Sequence, residues 1–180
     1  MKKCEIIFSG VGGQGLLIDG YVLGSAAAII DKKQAVMTCA YGDETRGAFT
    51  KADIIISDEY IDFPEAISPD VVVALAQVAY NKYVDNMKEG SMLIYNANSI
   101  TQAPSKAVQH GINMEDIATS INSIQALNIV ALGATIALTE CASPESVKTM
   151  LAKRFEDKPK VVESNSKAFD LGYEAAAKLK

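Results

Sequence analysis

Residues 4–30 read CEIIFSGVGGQGLLIDGYVLGSAAAII, and this stretch decides the fold. Its first part, residues 4–9, is a short apolar run that ends at a glycine and predicts a buried β-strand. Residues 16–30 are apolar nearly all round, which predicts a buried helix, and small residues such as Gly20 and Gly24 would let it pack closely against a sheet. A strand, a glycine loop and a helix in this order are typical of α/β proteins.

The rest of the chain continues the alternation of strands and helices. Further strands are predicted over residues 35–40, 53–57, 71–76 and 92–95, and a loop over 96–112 leaves room for one more brief strand at its end. Further helices are predicted over residues 80–87 with Gly90 as a C-terminal cap, 113–119, 128–140, 144–155 with Ser143 as N-cap before Pro144, and 166–179. We therefore predict a single α/β domain over residues 1–180, with a mainly parallel, doubly wound sheet and helices on both faces.

Composition excludes several classes of function. The 180 residues are 49% hydrophobic with a formal net charge of −5, and the lack of a basic stripe argues against nucleic-acid binding. The cysteines Cys4, Cys39 and Cys141 are scattered and form no CxxC pair, so no zinc or iron–sulfur ligand set is predicted. No apolar segment reaches the ~20 residues of a membrane span, and no signal peptide is visible, so we expect a cytoplasmic protein.

The loop after the first strand fits a phosphate-binding pattern. Gly10, Gly12 and Gly15 match GxGxxG between a strand and a helix, the context in which this pattern binds dinucleotides. Glycines let the backbone turn tightly, and the free N–H groups at a helix start can bind a phosphate. The loop also contains two consecutive glycines followed by Gln14. Neither a dinucleotide site nor a structural turn requires this unusual combination.

A dinucleotide site also needs a carboxylate near the end of the second strand, where it binds a ribose hydroxyl. Here that strand ends with residues 38–41 (TCAY), while Asp31 lies at a helix end and Asp43 in the next loop. The pattern therefore leaves an NAD(P) or FAD site and a purely structural glycine turn both open. The lone histidine, His110, is interpreted as a surface or hydrogen-bonded residue.

Several segments together resemble the gamma family of the 2-oxoacid:ferredoxin oxidoreductases. The segments are, in order, residues 10–15 (GVGGQG), 41–47 (YGDETRG), 54–58 (IIISD), 93–96 (LIYN), 128–134 (NIVALGA) and 163–169 (ESNSKAF) followed by Gly172-Tyr173. The resemblance covers essentially the whole chain. It departs at Ala48, where the family usually has a second glycine after Arg-Gly, and this puts a close backbone approach at position 48 in doubt.

This resemblance implies a subunit of a multi-subunit enzyme of the EC 1.2.7 class, which oxidatively decarboxylates a 2-oxoacid with coenzyme A. It implies alpha and beta partner subunits that hold thiamine diphosphate with Mg²⁺, a ferredoxin-like delta subunit with iron–sulfur clusters, and ferredoxin as the electron acceptor. Among 2-oxoacids, 2-oxoglutarate is favoured because residues 93–96 and the separate short chain look most like that branch; pyruvate and branched-chain 2-oxoacids follow. Since Gly42-Asp43-Glu44 lacks the second glycine of a thiamine diphosphate motif, we expect this chain to hold no cofactor and to be inactive alone.

The resemblance and the loop pattern together nominate one binding site. The candidate cofactor-binding residues are Gly10, Gly12, Gly13, Gln14, Gly15, Tyr41, Arg46 and Gly47. The loop N–H groups could face a phosphate of coenzyme A, or a partner loop near thiamine diphosphate.

Arg46 is the residue expected to bind an anion and the one possible catalytic residue, and its alternative is an ion pair with Asp43 or Glu44. Tyr41 could supply a hydroxyl, a stacking face or a contact with a neighbouring subunit. Two alternative functions stay open, a nucleotide-binding Rossmann-like protein and a purely structural assembly subunit.

Overall fold

Six strands form one sheet in the computed structural model, which describes residues 3–41 and 48–180. The strands are β1 Lys3–Val11, β2 Gln34–Tyr41, β3 Phe49–Ser57, β4 Val71–Ala74, β5 Met92–Asn96 and β6 Val108–Ile112. Their order across the sheet is β2-β3-β1-β4-β5-β6. The pairs β1–β4, β4–β5 and β5–β6 are parallel, whereas β3 runs antiparallel to both β1 and β2.

The antiparallel strand follows from a short connection. Only residues 42–48 join β2 to β3, and so short a segment can form a hairpin but not a crossover to a parallel strand. The hairpin folds back so that β3 enters between β2 and β1. The prediction of a mainly parallel sheet is confirmed, but the antiparallel direction of β3 was not anticipated.

Six α-helices accompany the sheet in the part of the chain that the structure describes. They are α1 Leu16–Ser25, α2 Gln77–Tyr83, α3 Met114–Ser120, α4 Leu127–Thr139, α5 Pro144–Arg154 and α6 Pro159–Ala177. A π-helical turn, Ala26–Ile30, extends α1, and a 3₁₀ turn, Ile124–Ala126, precedes α4. The predicted cap of α5 is confirmed, because the Ser143 side chain accepts a hydrogen bond from the Ser146 N–H.

Helices cover both faces of the sheet, as predicted, but unequally. On the larger side, α1, α3, α4, α5 and α6 bury alternate strand residues such as Ile6 and Phe8 in one apolar core. On the smaller side, α2 and neighbouring loops cover Ile7 and Val72. The alternation of side chains along each strand places successive residues in the two cores.

Two glycines let α4 and α6 pack backbone to backbone. A Cβ on Gly133 would lie 2.1 Å from the carbonyl oxygen of Phe169, and a Cβ on Gly172 would lie 2.1 Å from that of Val130. Neither distance can be relieved by rotating a side chain, because the atoms that it would meet are backbone. These glycines therefore set the distance between the two helices.

Some predicted features of the first helix are wrong. Residues 16–30 are not buried all round, since Tyr21 and Ile29 are exposed. Gly20 does lie close to the sheet, where an added Cβ would meet Ile54 at 2.6 Å, but nothing lies within 4 Å of a Cβ on Gly24. An apolar composition alone did not separate the sheet-facing side of this helix from its outer side.

Several other elements begin or end at residues that differ from the predicted ones, because tertiary contacts override the local pattern. β3 begins at Phe49 rather than at residue 53, because the hairpin pairs its first residues with β1. The helix predicted over 80–87 spans Gln77–Tyr83, and Gly90, at φ +80°, lies in the turn before β5 instead of capping that helix. The last helix begins at Pro159 rather than at residue 166.

Candidate functional site

The glycine loop connects β1 to α1 at the carboxyl edge of the parallel strands. Gly13 and Gly15 have φ values of +95° and +78°, which residues with side chains rarely adopt. The carboxamide of Gln14 holds the loop in place: its Oε1 accepts from the Val11 N–H at 2.8 Å, and its Nε2 donates to the Leu75 carbonyl at 3.1 Å. Since Leu75 directly follows β4, Gln14 ties the loop to the neighbouring strand.

This loop leaves backbone donors open. Among hydrogen bonds within residues 3–41 and 48–180, none is donated by the N–H groups of Gly13, Gly15 or Leu16. Gly15 is the N-cap of α1, and no side chain caps that helix. Unpaired N–H groups at a helix N-terminus carry partial positive charge and bind anions.

The hairpin places Ala48, which directly follows the second sequence motif, next to the glycine loop. Tyr41 pairs with Thr50, Val11 pairs with Phe49, and the Gly12 N–H donates to the Ala48 carbonyl at 3.0 Å. Ala48, which follows the 42–47 segment, therefore lies beside the loop, whereas Tyr41, which precedes that segment, lies one strand further away. Arg46 and Gly47 lie outside the described residues, as do Asp43, Glu44 and the side chain of Tyr41. At position 48 it is a backbone carbonyl that makes the contact, and alanine supplies it as well as glycine would.

A buried polar pair supports the loop from beneath. Asn128, near the start of α4, donates from Nδ2 to Asp19 Oδ1 at 2.8 Å and to the Gly15 carbonyl at 3.3 Å. Burial raises the pKa of Asp19 well above its ordinary value, and the Asn128 hydrogen bond opposes that rise. Asp19 Oδ2 has no hydrogen-bond partner among the residues described. A Cβ on Gly15 would lie only 2.6 Å from Asn128 Nδ2, so the pair also requires glycine there.

A cleft of about 600 Å³ opens beside the loop, between the first turns of α1 and α4 and the first half of α6. Its apolar walls include Ile18, Leu127 and Phe155. Its polar groups include the amides of Asn128 and Asn165, and none of the described residues that line it carries a charge. The cleft therefore suits a neutral, partly apolar group that lies next to an anion on the loop.

The geometry argues against a dinucleotide site. Asp31 accepts from the Ser143 N–H at 2.8 Å and also binds the Ser146 hydroxyl, so its carboxylate is used at the start of α5. Because β3 separates β2 from β1, the end of β2 lies two strand spacings, roughly 10 Å, from β1. A carboxylate at the end of an adjacent second strand, as the dinucleotide pattern requires, is thus not provided.

A second polar cluster lies on the smaller face of the sheet. Asp53 is 1% exposed and its Oδ2 lies 2.6 Å from Lys51 Nζ. Burial, with Asp53 nearby, raises the pKa of Tyr83 to about 12, although a hydrogen bond with Ser9 opposes the shift. None of the residues of this cluster lines the cleft.

The cysteines do not fit an iron–sulfur cluster. Cys4 and Cys141 are buried, and burial raises the pKa of both thiols, while Cys39 is exposed. Within the described ranges, no three His, Cys, Asp or Glu side chains are grouped so that they could hold a metal ion. His110 lies half-buried in β6, and burial lowers its pKa.

Sequence reasoning missed three residues of the site, namely Asp19, Asn128 and Asn165. Each lies within a helix and is buried, and each is polar among mostly apolar neighbours. An isolated polar residue on the apolar side of a helix was the available signal. Over residues 3–41 and 48–180, no helix is long and apolar enough to cross a membrane.

Comparisons with known proteins agree with one another. The family model described as pyruvate ferredoxin/flavodoxin oxidoreductase matches residues 5–175. The 2-oxoglutarate synthase subunit KorC of Methanocaldococcus jannaschii is 41% identical, over 99% of this chain and 96% of that protein.

Two solved structures are similar as well. The gamma subunit of a keto/oxoacid ferredoxin oxidoreductase from Geobacter sulfurreducens has 37% identity and a TM-score of 0.85, over 97% of this chain and 99% of that chain. The 2-oxoglutarate:ferredoxin oxidoreductase from Magnetococcus marinus, solved with 2-oxoglutarate, coenzyme A and succinyl-CoA, has 26% identity and a TM-score of 0.89. It matches 100% of this chain, which corresponds to 32% of that chain.

Proposed function

The chain belongs to the pyruvate ferredoxin/flavodoxin oxidoreductase family, and from this we propose that it is the gamma subunit of a 2-oxoglutarate:ferredoxin oxidoreductase. The choice of 2-oxoglutarate is supported by the KorC relative, which matches nearly the full length of both chains. Pyruvate and branched-chain 2-oxoacids are the next candidates. An NAD(P)- or FAD-binding protein is not favoured, because Asp31 binds the start of α5 and β2 is not adjacent to β1.

Within that enzyme, the glycine loop would bind a phosphate of coenzyme A. The observation that carries this proposal is the set of N–H groups at Gly13, Gly15 and Leu16, unpaired within the described residues, which open at the start of α1 beside the cleft. The loop shape is fixed by Gln14, so these donors are already oriented before a ligand arrives. Pre-oriented donors bind an anion without first losing conformational freedom.

Arg46 would add a permanent positive charge to the same site. Ala48, close to it in the sequence, contacts Gly12 of the glycine loop. A guanidinium binds a phosphate or a carboxylate with two parallel hydrogen bonds. Tyr41 and Gly47 would complete this side of the site, the former with its hydroxyl or ring face.

The redox cofactors would lie on partner subunits. Thiamine diphosphate with Mg²⁺ would supply the decarboxylation, and iron–sulfur clusters would supply electron transfer to ferredoxin. Alpha, beta and ferredoxin-like delta subunits would hold these groups, since the described residues of this chain group no metal ligands. The chain would act as one domain over residues 1–180, in the cytoplasm, and would have no activity by itself.

Replacing Arg46 in the assembled enzyme tests the proposal. We expect Arg46→Ala to lower kcat/KM for coenzyme A by more than ~10-fold, about 1.4 kcal/mol, while the complex still assembles. Arg46→Lys should recover part of the loss because it keeps the charge. Lys106→Ala, which removes an exposed cation elsewhere, is the control and should change nothing.

Two results would contradict the proposed function. Unchanged turnover of an intact Arg46→Ala complex would instead support a purely structural assembly subunit. Saturable micromolar binding of NAD(P) or FAD by the purified chain would support the nucleotide-binding alternative.

A further inference from the structure

The segment that joins β3 to β4, residues 58–70, carries charge of one sign only, and we call it the acidic loop. It contains carboxylates and no lysine, arginine or histidine. The carboxylates belong to Asp58, Glu59, Asp62, Glu65 and Asp70. Glu59, Asp62 and Glu65 are exposed, and none of them forms an ion pair with residues 3–41 or 48–180. The loop therefore presents negative charge that the described part of this chain does not neutralise.

Large apolar side chains are exposed on the same loop. Tyr60 is 82% exposed, Ile67 77% and Phe63 49%. Single exposed apolar residues are common on protein surfaces, but several of them on one short segment mark a surface on which another molecule packs. The acidic loop thus combines the two features that protein interfaces use, apolar contact area and charge.

The acidic loop is fixed to the body of the protein. The Ser68 N–H donates to Glu5 Oε2 at 3.2 Å, and Asp70 Oδ2 accepts from the Glu5 N–H at 2.9 Å. Lys88 Nζ donates to the Ser68 carbonyl at 2.9 Å and lies 2.7 Å from Asp70 Oδ1. Ala66 is buried in the smaller core, so the loop has an inner and an outer side. A partner would bind a loop whose shape is already set, and would lose little conformational freedom in doing so.

We propose that the acidic loop is a docking surface for a different polypeptide, one that presents basic side chains, lysines among them, around an apolar recess. The recess would take Tyr60 and Ile67, and the basic side chains would lie opposite Asp62 and Glu65. Buried aromatic and aliphatic anchors supply most of the affinity at such contacts, while charges of opposite sign speed up the encounter and select the partner. The inference rests on the proposed function only in that a heteromeric enzyme has partner subunits.

The charge of the loop decides between the possible occupants. A second copy of this chain, bound across a two-fold axis, would place one acidic loop against another, and like charges across an interface repel. Nucleic acids and anionic membrane surfaces would be repelled for the same reason. A basic protein surface is the occupant that is attracted by the carboxylates and can also cover the apolar side chains.

Carbodiimide cross-linking of the assembled wild-type complex tests the contact directly. This reagent joins a carboxylate to a lysine amine only where the two groups touch. We expect Glu59, Asp62 or Glu65 to be joined to lysines of a different polypeptide, as mapped by mass spectrometry. A mixture of unlabelled and isotope-labelled copies of this chain reveals links between two copies. Links that stay within this chain, or that join two copies of it, would overturn the proposal.

Charge reversal measures how much the carboxylates contribute. Dilution of the assembled complex, followed by mass photometry, gives the concentration at which this chain dissociates. In Asp62→Lys with Glu65→Lys, that concentration should rise by at least about tenfold, and the difference from the wild type should shrink at high salt. The matched control, Asp116→Lys with Glu174→Lys, changes the net charge equally at exposed positions of α3 and α6 and should dissociate as the wild type does. An equal rise in both double variants would show that only net charge matters, and the docking surface would be refuted.

Removal of the apolar anchors separates docking from folding. Because Tyr60 and Ile67 are exposed, Tyr60→Ser with Ile67→Ser should leave the Tm of the purified chain unchanged. The dissociation concentration of the complex should nevertheless rise by about tenfold. Val108→Ser with Leu179→Ser, also at exposed positions, is the control and should not change it. A lower Tm together with wild-type dissociation would assign these side chains to the stability of the chain and contradict docking.

The outcomes distinguish this inference from the proposed function. Acidic-loop variants that weaken assembly, but bind coenzyme A with the wild-type Kd at concentrations where the complex is intact, support docking at a surface separate from the coenzyme A site. If Arg46→Ala leaves the use of coenzyme A unchanged while those variants weaken assembly, only the coenzyme A proposal is lost. Variants of the acidic loop that dissociate at the wild-type concentration overturn the docking surface alone.

Discussion

The glycine loop and the α4–α6 crossing both depend on glycine, but for different physical reasons. In the loop, Gly13 and Gly15 supply backbone conformations with positive φ. At the crossing, Gly133 and Gly172 supply space, because any Cβ there would meet a backbone carbonyl at 2.1 Å. A glycine in a sequence motif therefore indicates a close approach or an unusual turn, and only the surroundings show which.

The surroundings of the two regions also differ. The loop lies over a polar pair, Asp19 and Asn128, and leaves its N–H groups open to the cleft. The crossing is part of the apolar core, where Val130 and Phe169 are completely or almost completely buried. We expect the crossing to govern the stability of the chain and the loop to govern ligand binding.

The largest effect should follow from filling the crossing. In Gly133→Ala, the new methyl group cannot fit unless α4 and α6 move apart, so the free energy of unfolding should fall by about 3 kcal/mol or more. Urea denaturation of the purified chain measures this change. A loss below about 1 kcal/mol would show that the crossing tolerates expansion, and the contrast with the loop would disappear.

A smaller, pH-dependent effect should follow from removing the support of the loop. In Asn128→Ala, Asp19 and the Gly15 carbonyl lose their donor, so the free energy of unfolding should fall by about 1–3 kcal/mol at neutral pH. Urea denaturation at several pH values measures the change. The Gly133→Ala loss, by comparison, involves no titratable group and should be the same at each pH.

The pH dependence has a definite sign. Burial raises the folded-state pKa of Asp19, so the folded chain binds the proton more tightly than the unfolded chain, and stability falls as pH rises above the ordinary aspartate value of about 3.9. The Asn128 hydrogen bond holds that pKa down, and its removal raises the pKa further. The deficit of Asn128→Ala should therefore grow as pH rises through the folded-state pKa of Asp19. A deficit that shrinks as pH rises would contradict Asp19 as its source.

The smallest effect should come from a glycine with neither role. Gly24 lies inside α1 without a positive φ, and an added Cβ would meet no atom within 4 Å, so Gly24→Ala should raise the free energy of unfolding by about 0.5–1 kcal/mol. The same urea denaturation measures it. A destabilised Gly24→Ala variant would show that alanine is not tolerated even where space is open, and Gly133→Ala would lose its interpretation.

Much of the fold could be predicted because it depends on short-range patterns. The buried strand before the glycine loop, the helix after it and the Ser143 cap each follow from neighbouring residues. The position of β3 could not be predicted in this way. It is set by hydrogen bonds to two strands at once, one on each side, and no local pattern records such pairing.

The candidate site was predictable only in part, for a similar reason. The sequence indicated the loop and the segment at residues 41–47, and the structure places Ala48, which follows that segment, beside Gly12. The contact between Asp19 and Asn128 joins residues 109 positions apart, and the cleft is built from four separate segments. The role of Arg46 stays a prediction, since it lies outside the described residues.

We propose that this chain contributes residues directly to the coenzyme A site of the assembled enzyme. A photoreactive coenzyme A analogue, cross-linked to the complex and mapped by mass spectrometry, tests it. The label should fall on the glycine loop, on residues 41–48 or on the cleft segments around Phe155 and Asn165, and unmodified coenzyme A should suppress it. Label that falls only on the partner subunits, with the same suppression, would show that this chain does not contact coenzyme A.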